Sequence, residues 1–148
     1  MKIIPANMSH IELITPLFDA YRQFYKQQSD IEGARAFISN NLTNQHASIF
    51  LALDEHDKAL GFVQLYPTWE SVTMTKRWVL YDLYVAEPGR KKGIATQLMN
   101  QAKQLAKDTQ AKYIMLETAV DNTTAQRLYE SLGYDRDNEF YTYILEIN

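Results

Sequence analysis

The stretch YDLYVAEPGRKKGIAT, residues 81–96, decides the fold. It passes from a β-rich segment through a Pro-Gly turn and a basic cluster into a helical pattern. Val79, Tyr81, Leu83 and Val85 alternate as one face of a strand over residues 77–85. Ile94, Leu98, Ala102 and Leu105 then recur at helical spacing, which predicts a helix over residues 91–107 with one buried face. Arg90, Lys91 and Lys92 stand where that helix begins, although cations are favoured at the other end of the macrodipole. The first N–H groups of a helix have no intrahelical acceptor and point outward together. A bound pyrophosphate takes several of them and offsets the clustered positive charge. Gly93 and Ala95 are small where an oxygen has to come close. The segment thus reads as a strand–turn–helix unit holding a phosphate-type anion on Arg90, Lys91, Lys92, Gly93, Ile94, Ala95 and Thr96. The competing reading is a solvated basic turn before a surface helix, which leaves the three charges uncompensated.

Working outward, Ile3 and Ile4 predict a short first strand ending at Pro5. Ser9 is a candidate helix cap with Glu12 as its capping-box partner. Ile14, Leu17, Phe18, Tyr21 and Tyr25 follow at helical spacing. Asp30 starts a second helix carrying Ala34, Phe37, Ile38 and Leu42. Residues 48–53 and 60–66 read as strands joined by the polar run 54–58. Residues 113–118 are the next strand, residues 123–132 a short helix whose left-handed end falls on Gly133, and residues 138–147 a closing strand. The order is β-α-α-β-β-β-α-β-α-β, an α/β fold of three layers around a mixed sheet.

The chain has 148 residues, which suits a single domain with one core. A formal net charge of −3 does not favour a nucleic-acid surface, so no nucleic-acid partner is expected. The absence of cysteine excludes disulfides, a cysteine nucleophile and cysteine-ligated zinc. His10, His46 and His56 have no ligand spacing, so no metal is expected. No run is long and apolar enough for a signal peptide or a membrane span, and a cytoplasmic protein is the expectation.

Two common nucleotide motifs are missing from the phosphate-binding stretch: neither G-x-x-x-x-G-K-[ST] nor G-x-G-x-x-G is present. The segment V-x-x-P-x-R-K-K-G-I-A, from Val85 to Ala95, resembles instead the acetyl-CoA motif of the GNAT N-acetyltransferase family, R/Q-x-x-G-x-G/A. Ala95 stands where many members have glycine. The family's second motif follows in order as N-x-x-A-x-x-L-Y, on Asn122, Ala125, Leu128 and Tyr129. Together with the element order, the resemblance covers nearly the whole chain. It implies the GNAT fold, α/β/α with a central mixed, splayed sheet, over residues 1–148.

The resemblance further implies an acetyl-CoA-dependent N-acetyltransferase moving an acetyl group to a primary amine of a small molecule or peptide. The donor's pantetheine arm would lie along Leu83, Tyr84 and Val85, in the splay facing residues 113–118. Asn122 would hydrogen-bond that arm, with Ala125 beside it, though asparagine is also a plain N-cap. Tyr129 occupies the position of the general acid that protonates the leaving thiolate. Read without the motif, it is one of ten tyrosines and packs beside Ala125 at helical spacing. An alkylammonium of pKa about 10.4 must lose a proton before attack. Glu117, in the sequence L-E-T, is a candidate base and Asp82 its rival; a plain solvated or salt-bridged carboxylate is the alternative for both. Without cysteine, direct transfer in a ternary complex is more natural than an acyl-enzyme. Tyr25, Tyr66, Trp69 and Trp78 are candidate walls for the amine, although any one of them can equally be core or a dimer contact. A homodimer is compatible with the resemblance, since late strands in the family often pair or exchange. A non-catalytic acyl-CoA-binding or sensing module with the same fold is the alternative function.

Overall fold

The computed structural model describes all 148 residues and contains two compact units, Met1–Glu117 and Thr118–Asn148. In the first, the strands are β1 (Lys2–Pro5), β2 (Ser48–Leu53), β3 (Ala59–Glu70), β4 (Thr75–Val85) and β5 (Tyr113–Met115). The helices are α1 (Ile11–Phe24), α2 (Ile31–Thr43) and α3 (Ile94–Asp108). The strands form one mixed sheet in the order β1-β2-β3-β4-β5, antiparallel except for the parallel β4–β5 pair.

Alternation along the central strands serves two layers. Ile49, Leu51, Leu53 and Phe62 pack with Ile14, Leu17 and Phe18 of α1 and Ala34 and Ile38 of α2. The opposite face meets α3, whose Ile94, Leu98, Met99, Ala102 and Ala106 are buried. Trp78 belongs to that second layer: its indole N–H donates to Thr109 Oγ1 at the end of α3, at 2.8 Å. The tight turns are held by carboxylates. Asp54 accepts the N–H groups of His56 and Lys58 between β2 and β3. Glu70 does the same for Val72 and Thr73 between β3 and β4.

Asn7, not Ser9, opens the first helical segment. Its side chain accepts the Ser9 N–H and its own N–H donates to His10 Nδ1, closing a capping box on a single 3-10 turn that leads into α1. Asp30 caps α2 as expected, accepting the Gly33 N–H at 2.9 Å. The connection between α1 and α2 is drawn together by Asp19, which is 2% exposed. Its carboxylate accepts from Ser29 Oγ at 2.6 Å, the Asp30 N–H at 2.8 Å, Gln23 Nε2 at 3.1 Å and Arg22 Nη1 at 3.3 Å. The backbone N–H of Asp30, then the Ser29 hydroxyl, hold this carboxyl below its ordinary range. Asp19→Ala leaves those donors unpaired and is expected to cost about 3 kcal/mol in urea unfolding. Because the folded-state pKa is lowered, the wild-type stabilisation is complete above the unfolded pKa of about 3.9 and is lost as pH falls through the lower folded value. The gap between wild type and variant therefore closes in acid.

The second unit is organised around α4 (Thr123–Ser131). Asn122 caps it by accepting the Ala125 N–H at 3.2 Å. Its C-terminal end is a Schellman turn: Gly133 at φ 92, with Tyr134 N–H to the Tyr129 carbonyl and Gly133 N–H to the Glu130 carbonyl. The expected closing strand over residues 138–147 does not form, and no helix or strand follows Ser131. Its alternation is present, but no ladder bonds accompany it. No helix in the protein is long and apolar enough to cross a membrane.

Candidate active site

The parallel pairing of β4 with β5 is brief. Arg77, Trp78 and Val79 pair with Tyr113, Ile114 and Met115, and there the ladder stops. β5 ends at Met115 rather than at Thr118, while β4 continues to Val85. The two strands are thus splayed, and Leu83 and Val85 turn main-chain groups to the side that faced β5, while those of Tyr84 turn toward β3. β4 also slips in phase. Gln64 pairs with Asp82 and Leu65 with Leu80, so Tyr81 is an extra residue. A β-bulge of this kind re-aims the side chains that follow it. It moves Val79 and Leu83 onto opposite faces, against the expectation of one continuous face through residues 79–85.

Because of the bulge, Asp82 points into the α1–α2 layer. It is 4% exposed and sits among other buried polar groups. Gln64 Nε2 donates to Asp82 Oδ2, and Asn41 Nδ2 donates to Gln64 Oε1 at 2.9 Å and to Tyr66 Oη at 3.2 Å. Burial pushes the Asp82 carboxyl above its usual range, against the hydrogen bonds from Gln64 and Tyr21. Burial, and then the Asp82 charge, raise the Tyr21 hydroxyl. That hydroxyl also reaches the Tyr81 carbonyl at 3.2 Å. Tyr21 meets Tyr25 edge-on at 5.0 Å between ring centroids, and Tyr66 meets Tyr81 edge-on at 5.8 Å. Tyr81 itself is 65% exposed. A tyrosine-rimmed surface therefore overlies a buried carboxylate just where β4 loses its partner.

The basic turn follows the C-terminal end of β4. α3 begins at Ile94, later than expected, because Lys91 at φ 62 and Gly93 at φ 76 are left-handed and cannot continue a helix backward. Gly93 is the N-cap, and a Cβ placed on it meets nothing within 4 Å. Its glycine answers to backbone conformation rather than to crowding by the protein. The first intrahelical bond runs from the Gln97 N–H to the Gly93 carbonyl. The N–H groups of Ile94, Ala95 and Thr96 precede it and form the donor end of the helix. Ile94 contributes only backbone, its side chain being 2% exposed against Gly89. The Arg90 N–H is already given to the Glu87 carbonyl, so only its side chain remains for an anion. Its Nε donates to the Val85 carbonyl at 3.0 Å, and its guanidinium lies over the Tyr84 ring.

Among the other sequence candidates, Glu117 is exposed beyond the end of β5. Trp69 is 71% exposed near the β3–β4 turn, and Trp78 is buried against α3. Neither joins the Tyr21–Tyr25–Tyr66–Tyr81 group. In the second unit, Asn122, Ala125 and Tyr129 share one face of α4 by their spacing. The rings of Tyr129 and Tyr134 are 6.1 Å apart, and burial, then Tyr129, pushes the Tyr134 hydroxyl up to about 12. Asn41 and Gln64 were not legible as site residues: nothing local marks an amide that will be buried against a carboxylate elsewhere in the chain.

A sheet splayed at its one parallel pair, a bulged strand and a basic turn at a helix start define an acyltransferase-type α/β fold. The model of the acetyltransferase (GNAT) family matches residues 14–134, and the chain belongs to that family. It is 42% identical over 147 residues to the uncharacterized N-acetyltransferase YhfO of Bacillus subtilis (strain 168), covering 99% of this chain and 98% of that one. It is 36% identical to a probable acetyltransferase of Haemophilus influenzae, over 90% of each chain. A crystal structure of a probable acetyltransferase superposes with a TM-score of 0.95 at 43% identity, covering 100% of this chain and 99% of that one.

Proposed function

We propose that the chain acts as one N-acetyltransferase domain over residues 1–148, taking the acetyl group of acetyl-CoA to a primary amine of a small molecule or peptide by direct transfer. The observation that carries this reading is the coincidence, on one strand, of a β4 edge that pairs with no strand beyond Val79 and a left-handed basic turn leading into the donor end of α3. The edge offers main-chain groups to the pantetheine amides as an added strand would. The turn offers the N–H groups of Ile94, Ala95 and Thr96 with the charges of Arg90, Lys91 and Lys92 to a pyrophosphate. The open space at the Gly93 Cα fits a close oxygen. Acetyl-CoA supplies an activated thioester.

Asn122 and Tyr129 take the roles that the family motif gives them. Asn122 spends Oδ1 on its helix cap, which leaves its amide N–H groups for the donor's pantetheine. Tyr129 gives a proton to the departing thiolate. For the base, burial favours Asp82 over the exposed Glu117, because a base with a raised pKa accepts a proton more readily. The aromatic rim suits an acceptor that carries a positive charge. The test is release of free thiol from acetyl-CoA when the protein meets a panel of amines, with acetylated product identified by mass. Tight CoA binding without turnover on any amine would favour the acyl-CoA-binding or sensing module. A cytoplasmic location, with neither nucleic acid nor membrane as partner, belongs to this reading.

A homodimer also belongs to this proposal. Phe140, Tyr141, Tyr143, Ile144, Leu145 and Ile147 are each between 80% and 91% exposed. Six such side chains amount to roughly 800 Å² or more per chain, above the few hundred Å² of apolar patch that monomers usually show and close to one side of a standard interface. Light scattering is expected to give twice the 17.2 kDa chain mass, and Tyr141→Asp with Ile144→Asp is expected to return it to the single-chain value.

A further inference from the structure

The α1–α2 face of the sheet carries a carboxylate with no cation beside it. Asp82 forms none of the protein's ion pairs. The groups that face it are Gln64 and Tyr66 from β3, Tyr21 and Tyr25 from α1, Asn41 from α2 and Tyr81 from its own strand. All are neutral, and the surrounding layer is Phe18, Phe62, Ile38 and Leu51. Holding an unpaired carboxylate there is costly, and simple packing does not call for it.

Tyr21 joins this buried group to the surface. Its hydroxyl donates to the Tyr81 carbonyl at 3.2 Å and lies beside the Asp82 carboxylate, and it has one proton to give. When that proton points at Asp82, the lone pairs of the Tyr21 oxygen are left for an incoming donor. The bulge sets this arrangement by adding one residue, which places the Tyr81 carbonyl and the Asp82 carboxylate against the same hydroxyl.

The geometry points to Tyr21 as a proton-relaying catalytic residue, with Asp82 as the terminal proton acceptor and Gln64, itself held by Asn41, as the positioning residue. This rests on the N-acetyltransferase reading above and names the acceptor as a cationic amine. An N–H bond of the ammonium breaks and its proton goes to the Tyr21 oxygen. In the same step the Tyr21 O–H bond breaks and that proton goes to the Asp82 carboxylate. The amine is left neutral with its lone pair free, Tyr21 is restored, Asp82 is protonated and no phenolate forms. The ammonium supplies the positive charge that Asp82 lacks until the proton moves.

The test uses the full chain. Carboxyl NMR of selectively labelled aspartate, assigned by Asp82→Asn, gives the Asp82 titration midpoint without substrate. Donors to a carboxylate stabilise its charged form. Tyr21→Phe and Gln64→Met are each therefore expected to move the midpoint upward, by about one pH unit. In turnover with an active amine, the acidic limb of kcat/KM is expected to move upward in parallel. Tyr21→Phe is also expected to lower kcat about a hundredfold with the KM for acetyl-CoA unchanged. A merely structural tyrosine would depress activity evenly across pH. An unmoved Asp82 midpoint in Tyr21→Phe, or near-wild-type kcat with an unmoved limb, would overturn the relay. If the wild type turned over no amine while the NMR midpoints moved as expected, the transferase reading would fall and the Tyr21–Asp82 coupling would stand.

Discussion

Tyr129→Phe is expected to lower kcat by about a hundredfold to ten-thousandfold at saturating acetyl-CoA and amine, the usual contribution of a positioned general acid. The substitution removes one oxygen and keeps the ring that packs near Tyr134. The cap on Asn122 and the Schellman turn after α4 involve main chain or other side chains, so the helix is expected to persist. The KM for acetyl-CoA is accordingly expected to stay within about twofold, since loss of an interaction made only in the transition state lowers kcat alone. A departing thiolate of pKa about 8.5 needs less help than an alkoxide, so a donor with a more acidic thiol should suffer less from the change. Steady-state rates with acetyl-CoA and with an aryl thioester donor separate the outcomes. Equal losses on both donors, or no loss on either, would remove Tyr129 from the acid role.

Neutralising the basic turn is expected to give the second large effect. The combined variant Arg90→Ala, Lys91→Gly, Lys92→Ala should weaken acetyl-CoA binding about a hundredfold in calorimetry. That corresponds to about 1 kcal/mol for each of three exposed, partly screened contacts to phosphate. Glycine is chosen at Lys91 because φ there is 62, a value glycine holds without strain. Two controls sharpen the result. Acetyl-pantetheine, which has no phosphate, should bind both proteins alike. The wild-type affinity should fall with added salt more steeply than that of the variant. An unchanged affinity for acetyl-CoA would show that the turn is the solvated surface that its exposure also permits.

Residue patterns foretold these elements unevenly. Helices α1 to α4 and strands β1 to β4 were readable because each carries its own period and punctuation, such as Asp30 before α2 and Gly133 after α4. Starts and stops were less readable. The left-handed residues Lys91 and Gly93 deny α3 the turn that its basic lead-in resembled. Asn7 and Ser9 are both good caps, and the choice fell on the one whose backbone is extended at φ −138. Alternation alone also gave residues 138–147 as a strand, but a strand requires a neighbour, and a neighbour is not a local property. The basic turn and the Asn122–Tyr129 helix were legible because motif chemistry is local. The Asp82 group was only half legible: the carboxylate stood out, while Gln64, which donates to it, and Asn41, which donates to Gln64, lie 18 and 41 positions before it and come together only after the sheet forms.

The extra residue in β4 has a consequence for how this chain tolerates genetic change. The strand is written in two phases that meet at Tyr81. Replacing Tyr81 alters one exposed ring, and losing its codon would merge the phases into one regular ladder, with Leu80 still opposite Leu65 and Asp82 still opposite Gln64. What would go is the local kink, and with it the Tyr81 carbonyl that accepts the Tyr21 hydroxyl. In-frame deletion here should therefore be tolerated by the sheet and felt at the Tyr21–Asp82 group.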